Sequence, residues 1–193
     1  MTADAPIASR AAVVLLAAIA LWGCGEDARR TRYADGTPWS EIRYRDGVPH
    51  GTWTTWHPSG AKKSEGAYVE GLPQGPWRDW TADGVLLEER TYAAGRLDGP
   101  YRRGWRNGQP RTSGAYRDGR PDGPWTEWYE SGAKRLEGAY ADGEREGRWV
   151  GWDEEGVVRG DHRFVRGVLQ KDPPAPPDAA PPPSAPRERG DGS

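Results

Sequence analysis

The sequence predicts an all-β protein, an elongated single-layer antiparallel meander of stacked β-hairpins. Three observations carry that reading. The chain repeats itself with a period of 24 residues: GTWTTWHPSGAKKSEGAY at 51–68 returns as GPWTEWYESGAKRLEGAY at 123–140. Turn-forming pairs recur at fixed offsets in every period, as at Ser59-Gly60 and Glu70-Gly71, and Asn-Gly or Asp-Gly pairs at the equivalent positions favour tight hairpin reversals. Finally, the 193 residues include 11 Trp, 8 Tyr, 27 Gly and 18 Pro but one Phe, with only 35% hydrophobic residues. That is too little apolar material for a globular core, yet it is rich in strand-forming aromatics.

The elements follow in chain order. Residues 1–23 hold one arginine, Arg10, followed by the apolar run AAVVLLAAIAL at 11–21. Such a run is too short to span a bilayer as a helix and has the length of a signal-peptide core. It leads into Leu21-Trp22-Gly23-Cys24, and Cys24 is the only cysteine, so no internal disulfide is possible. Leu21, Gly23 and Cys24 resemble the lipobox of bacterial lipoproteins, in which the cysteine becomes the acylated first residue of the mature chain. Trp22 is bulkier than is usual there. The resemblance implies a membrane partner through acylated Cys24, and Gly25 after the cysteine implies the outer membrane of the bacterial envelope, with several acyl chains giving stable anchoring.

Residues 24–50 hold a mature N-terminus and a degraded line that keeps Gly36, Tyr44 and Gly47. Five clearer lines follow at 51–74, 75–98, 99–122, 123–146 and 147–170. Each has two turn sites and room for two strands of about 5–9 residues, an ordinary length. Treated as two-residue loops, the turns set the register: Trp53 faces Gly66, Trp56 faces Lys63, and Ser64 faces Trp77. Alternation of side chains along a strand then collects Trp53, Tyr68, Trp77, Tyr92, Tyr101, Tyr116, Trp125, Tyr140, Trp149 and Phe164 in one structural aromatic row. It sends Trp56, Trp80, Trp128 and Trp152 to the opposite face. In the third line Gly104 stands where a Trp is expected and Trp105 comes one residue later, so a bulge is expected at Gly104. Pro49, Pro73 and Pro121 follow the second turn, where a longer loop or bulge is expected because proline donates no ladder bond. Residues 171–193, KDPPAPPDAAPPPSAPRERGDGS, lack any apolar period and read as a disordered, Pro-rich tail.

The pattern G-x-W-x-x-W-x-x-x-G … G-x-Y-x-x-G resembles the bacterial variant of the MORN repeat, often called YwqK-type, over residues 27–170. The resemblance implies an elongated sheet of hairpins and interaction roles such as scaffolding and protein binding. Bacterial members are frequently catalogued as antitoxins of toxin–antitoxin pairs, so an antitoxin- or immunity-type role is an implied expectation. The family supplies no catalytic motif.

The residues themselves exclude more than they select. A net charge of -2, with Arg interleaved among Asp and Glu, gives no basic footprint for nucleic acid. No His/Cys/Asp/Glu set has metal-site spacing, and the glycines mark turns rather than a phosphate-cradling loop, so neither metal nor cofactor is expected. His50, His57 and His162 read as structural or surface residues. Glu127, Glu130 and Glu137 resemble a carboxylate set, but the matching residues of the first line are Thr55, Pro58 and Glu65, so they read as solvated charge. An enzyme is therefore not expected. A single-layer sheet cannot bury both faces, which makes Trp56, Trp80, Trp105, Trp128 and Trp152 the candidate partner-binding residues. The expected partner is a protein of the envelope. A cell-wall glycan or the membrane surface is the alternative, met through the same exposed aromatics.

Overall fold

The computed structural model describes residues 26–171. The segment containing Cys24 and the Pro-rich segment from 172 onward lie outside the described residues. Among the described residues the chain forms one open 14-stranded antiparallel sheet and no helix. The strands are β1 (Glu26–Arg32), β2 (Pro38–Arg45), β3 (Val48–Trp56), β4 (Lys62–Val69), β5 (Leu72–Trp80), β6 (Leu86–Ala93) and β7 (Arg96–Gly104), then β8 (Pro110–Arg117), β9 (Arg120–Pro121), β10 (Gly123–Trp128), β11 (Lys134–Ala141), β12 (Glu144–Trp152), β13 (Val158–Val165) and β14 (Val168–Gln170). They follow one another across the sheet in chain order; β9 pairs with β8, and β10 continues the same edge after Asp122. At about 4.8 Å per strand the sheet runs roughly 60 Å across. The expected meander is present.

The two turns of each repeat differ because their backbone demands differ. At the second turn Glu70 has φ 49° and Gly71 φ 79°. Two successive positive φ values define the type I′ loop of two residues that the sequence predicts. At the first turn only Gly60 is left-handed, with φ 82°. Its N–H donates to His57 O at 2.9 Å, and His57 N–H donates to Ala61 O at 2.8 Å. That is a three-residue loop, Pro58-Ser59-Gly60, of the type I plus glycine-bulge kind, so the two-residue reading at Ser59-Gly60 is corrected. Trp56 consequently pairs with Lys62 and not Lys63. Lys63 is then the extra residue of a bulge, beyond which Thr55 meets Ser64 and Trp53 meets Gly66. The longer loop and the bulge each displace the register by one residue in opposite senses, which is why the Trp53–Gly66 pairing survives.

The longer loop or bulge expected at Pro49, Pro73 and Pro121 is not at the prolines, which pair regularly with Tyr44, Tyr68 and Tyr116 across the turn; the irregularity lies further along the strands. Tyr68 pairs with Pro73, but Glu65 pairs with Arg78, so β5 carries two more residues than β4 across this stretch. Ser64 therefore faces Asp79 rather than Trp77, another correction, and Ser64 Oγ donates to Asp79 Oδ1 at 2.5 Å. The surplus residues carry the Trp77 indole over Gly66, where an added Cβ would lie 2.2 Å from Trp77 Cδ2. The same close approach places Trp125 over Gly114 and Trp149 over Gly138. Only glycine fits beneath these rings.

One line of rings forms the core. Trp53 stacks on Trp77 with centroids 5.1 Å apart, Tyr68 meets Trp77 edge-on at 5.1 Å, and Trp77 meets Tyr92 at 5.9 Å. A second segment runs from Tyr101 through Tyr116, Trp125 and Tyr140 to Trp149. Trp77, Trp125, Trp149 and Val150 are the buried hydrophobic residues among those described. The expected row is thus real, but it is interrupted between Tyr92 and Tyr101 and changes character at Phe164, where the Arg145 guanidinium lies 4.5 Å from the Trp149 ring and 5.4 Å from the Phe164 ring. The middle of the other face is polar, with cross-strand ion pairs Arg30–Glu41 (2.9 Å), Arg78–Glu89 (2.7 Å) and Arg148–Asp161 (2.7 Å). Exposed pairs of this kind contribute little each, so the aromatic row holds the sheet together.

Candidate functional site

The candidate residues Trp56, Trp80, Trp128 and Trp152 end β3, β5, β10 and β12, each two residues before the three-residue loop. They are half-buried; two strand spacings put Trp56 and Trp80, and Trp128 and Trp152, about 10 Å apart, and four put Trp80 and Trp128 about 20 Å apart. In several repeats the residue just after the first strand of the repeat links it to the next. Tyr33 Oη donates to Trp56 O at 2.8 Å, His57 Nε2 to Trp80 O at 2.9 Å and Tyr129 Oη to Trp152 O at 2.9 Å. A carbonyl only accepts, so His57 carries its proton on Nε2. These side chains bridge 23 residues of sequence and hold the Trp-bearing strand ends at a constant spacing.

The structure corrects the placement of Trp105. Gly104 pairs with Pro110, and the register shift falls between Arg103 and Gly104, where every repeat has it. No additional bulge exists at Gly104. Trp105 instead occupies the loop position of His57 and Tyr129, its N–H donates to Gln109 O at 2.8 Å, and its Nε1 donates to Trp128 O at 3.2 Å. Trp105 is a link between repeats and is covered by the Arg111 guanidinium at 4.5 Å. The slot that holds Trp56, Trp80, Trp128 and Trp152 in the other repeats is empty at Gly104.

Cations sit over two of the remaining rings: Lys62 Nζ lies 5.8 Å from the Trp80 centroid and Lys134 Nζ 5.6 Å from that of Trp152. Both lysines also pair with a glutamate three residues on, Glu65 and Glu137. The edge is thus a series of indole rings with charged groups laid against them.

Arg90 breaks the aromatic row on the opposite face. It stands at the glycine position of Gly66, Gly114 and Gly138, between Trp77 on one neighbouring strand and Tyr101 on the other, and Tyr101 takes the place of the Trp that lies over those glycines. Its Nη1 donates to Asp79 Oδ2 at 2.6 Å and its Nε to Tyr92 Oη at 3.2 Å. Burial works against the Arg90 charge, but the bonds to Asp79 and Tyr92 outweigh it and raise its pKa. The exchange is coupled by volume: where the small residue becomes large, the large one shrinks. Burial likewise raises the Tyr68, Tyr101 and Tyr116 phenols.

Sequence reasoning found the rings and missed the links. Their signal was available, because a hydrogen-bonding side chain (Tyr33, His57, Trp105, Tyr129) recurs one residue after the end of a repeat's first strand. Glu127 sits with Arg135, and Glu137 with Lys134, as paired surface charges. Among the described residues no group of three or more His, Cys, Asp or Glu is placed to hold a metal ion, and no helix is long and apolar enough to cross a membrane. Cys24 lies outside the described residues.

No curated protein matches the chain. Residues 49–70, which span the β3–β4 hairpin, match the family model described as the MORN repeat variant. That match, set within a sheet built of the same hairpin throughout, supports a MORN-repeat protein.

Proposed function

We propose that this chain is a non-enzymatic binding or scaffolding protein of the bacterial envelope, YwqK-like in its repeats and anchored by an acylated Cys24 after removal of a lipoprotein-type signal peptide. It binds a protein partner through the strand ends that carry Trp56, Trp80, Trp128 and Trp152. The observation that carries this reading is the line of half-buried indoles along one face of an open sheet, broken only at Gly104, each with its backbone carbonyl held by a side chain from the preceding repeat. Rings that are partly covered on one side and ringed by charge are the usual anchors of protein interfaces. The lysines over Trp80 and Trp152 weigh against stacking of cell-wall sugars, which would have to displace them. An immunity-type role fits an anchored protein whose partner also acts in the envelope.

A photo-crosslinking residue placed at Trp56 or Trp152 in the full chain should capture a discrete protein, and one at exposed Arg163 should not. The reading fails if the Trp positions yield no protein adduct, and glycan binding replaces it if retention on purified peptidoglycan is lost in Trp56→Ala, Trp80→Ala and Trp128→Ala. Radiolabelled palmitate should enter the wild-type chain and not Cys24→Ala; label persisting in that variant removes the anchor.

A further inference from the structure

The face that carries the structural row has a second regularity, close to the two-residue turns. Tyr68 pairs with Pro73, Tyr92 with Leu97, Tyr116 with Pro121 and Phe164 with Leu169. Directly paired residues share a face, so a strip of rings alternating with Pro or Leu crosses the sheet. Arg145, opposite Tyr140, lies over the Trp149 and Phe164 rings. One ring of the strip recurs per repeat, that is every two strands, or about 9.6 Å. These rings stand edge-on to the indoles between them: Trp77 has Tyr68 at 5.1 Å and Tyr92 at 5.9 Å, and Trp125 has Tyr116 at 5.8 Å and Tyr140 at 5.5 Å. They are half-buried, and Leu169, at the end of the strip, is 53% exposed. Among the described residues no second layer covers the strip.

The chain leaves the sheet at that end. β14 stops at Gln170, and Pro173-Pro174 cannot donate the ladder bonds that would extend it. The sequence beyond lacks the apolar period of a helix or strand, but it has a period of three. From 172 to 187 the polar residues Asp172, Asp178, Ser184 and Arg187 all fall at one position of the triplet. The other two positions hold only Pro and Ala; one of them reads Pro174, Pro177, Ala180, Pro183, Pro186. Three residues make one turn of a polyproline II helix, about 9.3 Å at 3.1 Å per residue. In that form the segment has one polar edge and two apolar ones. Its turn also matches one repeat of the sheet: over the four turns from Pro174 to Pro186 the mismatch is about 1 Å.

We infer that residues 172–187 lie as a polyproline II helix across the ring strip of their own sheet, one turn per repeat, from Phe164 toward Tyr68. The Pro and Ala edges pack against the rings, and Asp172, Asp178, Ser184 and Arg187 face water. Docking of this kind costs little entropy, because proline fixes the bound conformation beforehand. The segment starts where the strip ends, so it meets its site at an effective concentration of about 1 mM. An affinity of about 0.1 mM for the free segment then keeps the strip covered about nine-tenths of the time. The inference goes beyond the protein-binding reading, which concerns the opposite face and does not depend on it.

The test compares the purified full chain with a variant carrying Pro174→Asp, Pro177→Asp, Pro183→Asp and Pro186→Asp, which leaves the sheet untouched. Hydroxyl-radical footprinting read by mass spectrometry reports ring exposure, and every signal comes from the sheet because residues 172–193 contain no aromatic. Tyr92, Tyr116 and Tyr140 should oxidise about twofold or more faster in the variant, given coverage of about nine-tenths in the wild type. Trp128 and Trp152, on the opposite face, should not change. A labelled peptide of residues 172–187, followed by fluorescence anisotropy, should bind the variant with a Kd of about 0.1 mM and the wild type about tenfold more weakly, since the attached segment competes. The same peptide with its triplet order scrambled should bind the variant more weakly. The inference is overturned by equal Tyr oxidation in the two chains, by protection of Trp128 and Trp152 instead, by equal binding of the peptide to both chains or of the scrambled peptide to the variant, or by no binding to the variant up to about 1 mM. Tyr protection that falls as the chain is diluted would place the segment on a second copy and overturn it as well. Absence of protein adducts at Trp56 and Trp152 would defeat the protein-binding reading alone.

Discussion

Replacing Gly138 by alanine tests the packing that holds the sheet together. Trp149 is 2% exposed, the most buried large side chain among the described residues, and lies over Gly138. A Cβ at 138 would meet Trp149 Cδ2 at 2.2 Å and Cε2 at 2.4 Å. Ordinary contact begins more than an ångström further out, so the indole must move. It is not free to do so: Tyr140 meets it at 4.9 Å, Arg145 covers it at 4.5 Å, and Trp149 Nε1 donates to Ala139 O at 3.0 Å. Full expulsion of a Trp burying about 200 Å² would cost about 5 kcal/mol at 25 cal/mol per Å². A partial shift that exposes half the ring and breaks the hydrogen bond costs about 3 kcal/mol. Lower chain entropy in the unfolded state returns about 0.5 kcal/mol. The net expectation is a loss of about 2–3 kcal/mol in urea denaturation followed by far-ultraviolet dichroism. Gly151→Ala is the internal control, because its Cβ would find only ordinary contacts at 3.7 and 3.8 Å; it should change stability by about 0.5 kcal/mol or less. If Gly138→Ala matches wild type, or the two variants lose equally, the close approach of ring and backbone does not hold the sheet.

Further expectations come from the same geometry. Trp77 Nε1 is buried without a hydrogen-bond partner, whereas Trp149 Nε1 has one; Trp77→Phe should therefore cost about 1 kcal/mol less than Trp149→Phe in the same denaturation assay. Tyr129→Phe removes the link to Trp152 O and should cost about 1 kcal/mol, with amide hydrogen exchange rising locally at β12 rather than across the sheet. Burial raises the Tyr68, Tyr101 and Tyr116 phenols in the folded state. The unfolded chain then ionises first, so stability is complete below about pH 10 and is lost as pH rises through the folded values. Tyrosinate absorbance and loss of strand dichroism should rise together in an alkaline titration; ionisation of all tyrosines before any unfolding would contradict the buried row.

Much of this was legible because hairpin repeats are local. Glu70-Gly71 and Asp118-Gly119 announce a two-residue turn through their own backbone preferences, and the pairs Val69–Leu72 and Arg117–Arg120 follow from the turn. Trp53 and Gly66 were placed together although the loop between them was misjudged by one residue, since a bulge at Lys63 restored the count. Ser59-Gly60 misled because the pair itself does not choose the loop: Asp83-Gly84 and Asn107-Gly108, favoured in two-residue turns, close the same three-residue loop, whereas Glu70, Ala94 and Arg166 take the positive φ of the two-residue turn. Trp105 misled because an indole one position late looks like a displaced core ring, when the loop position it fills is occupied by His57 and Tyr129 elsewhere. The emptiness of the Gly104 slot and the pairing of Arg90 with Asp79 depend on which residues face one another across strands, and no property of either residue alone announces that.

The period, the positions of the turns and the division of rings between two faces were determined by the sequence itself, because each rests on neighbours within a dozen residues. The tertiary structure alone decided which residue faces which. Register accumulates every loop length and every bulge, so a single extra residue, such as Lys63, or a pair, as between Tyr68 and Trp77, redirects all contacts beyond it. The links across 23 residues, the indoles lying on glycine and the empty slot at Gly104 exist only once that count is complete.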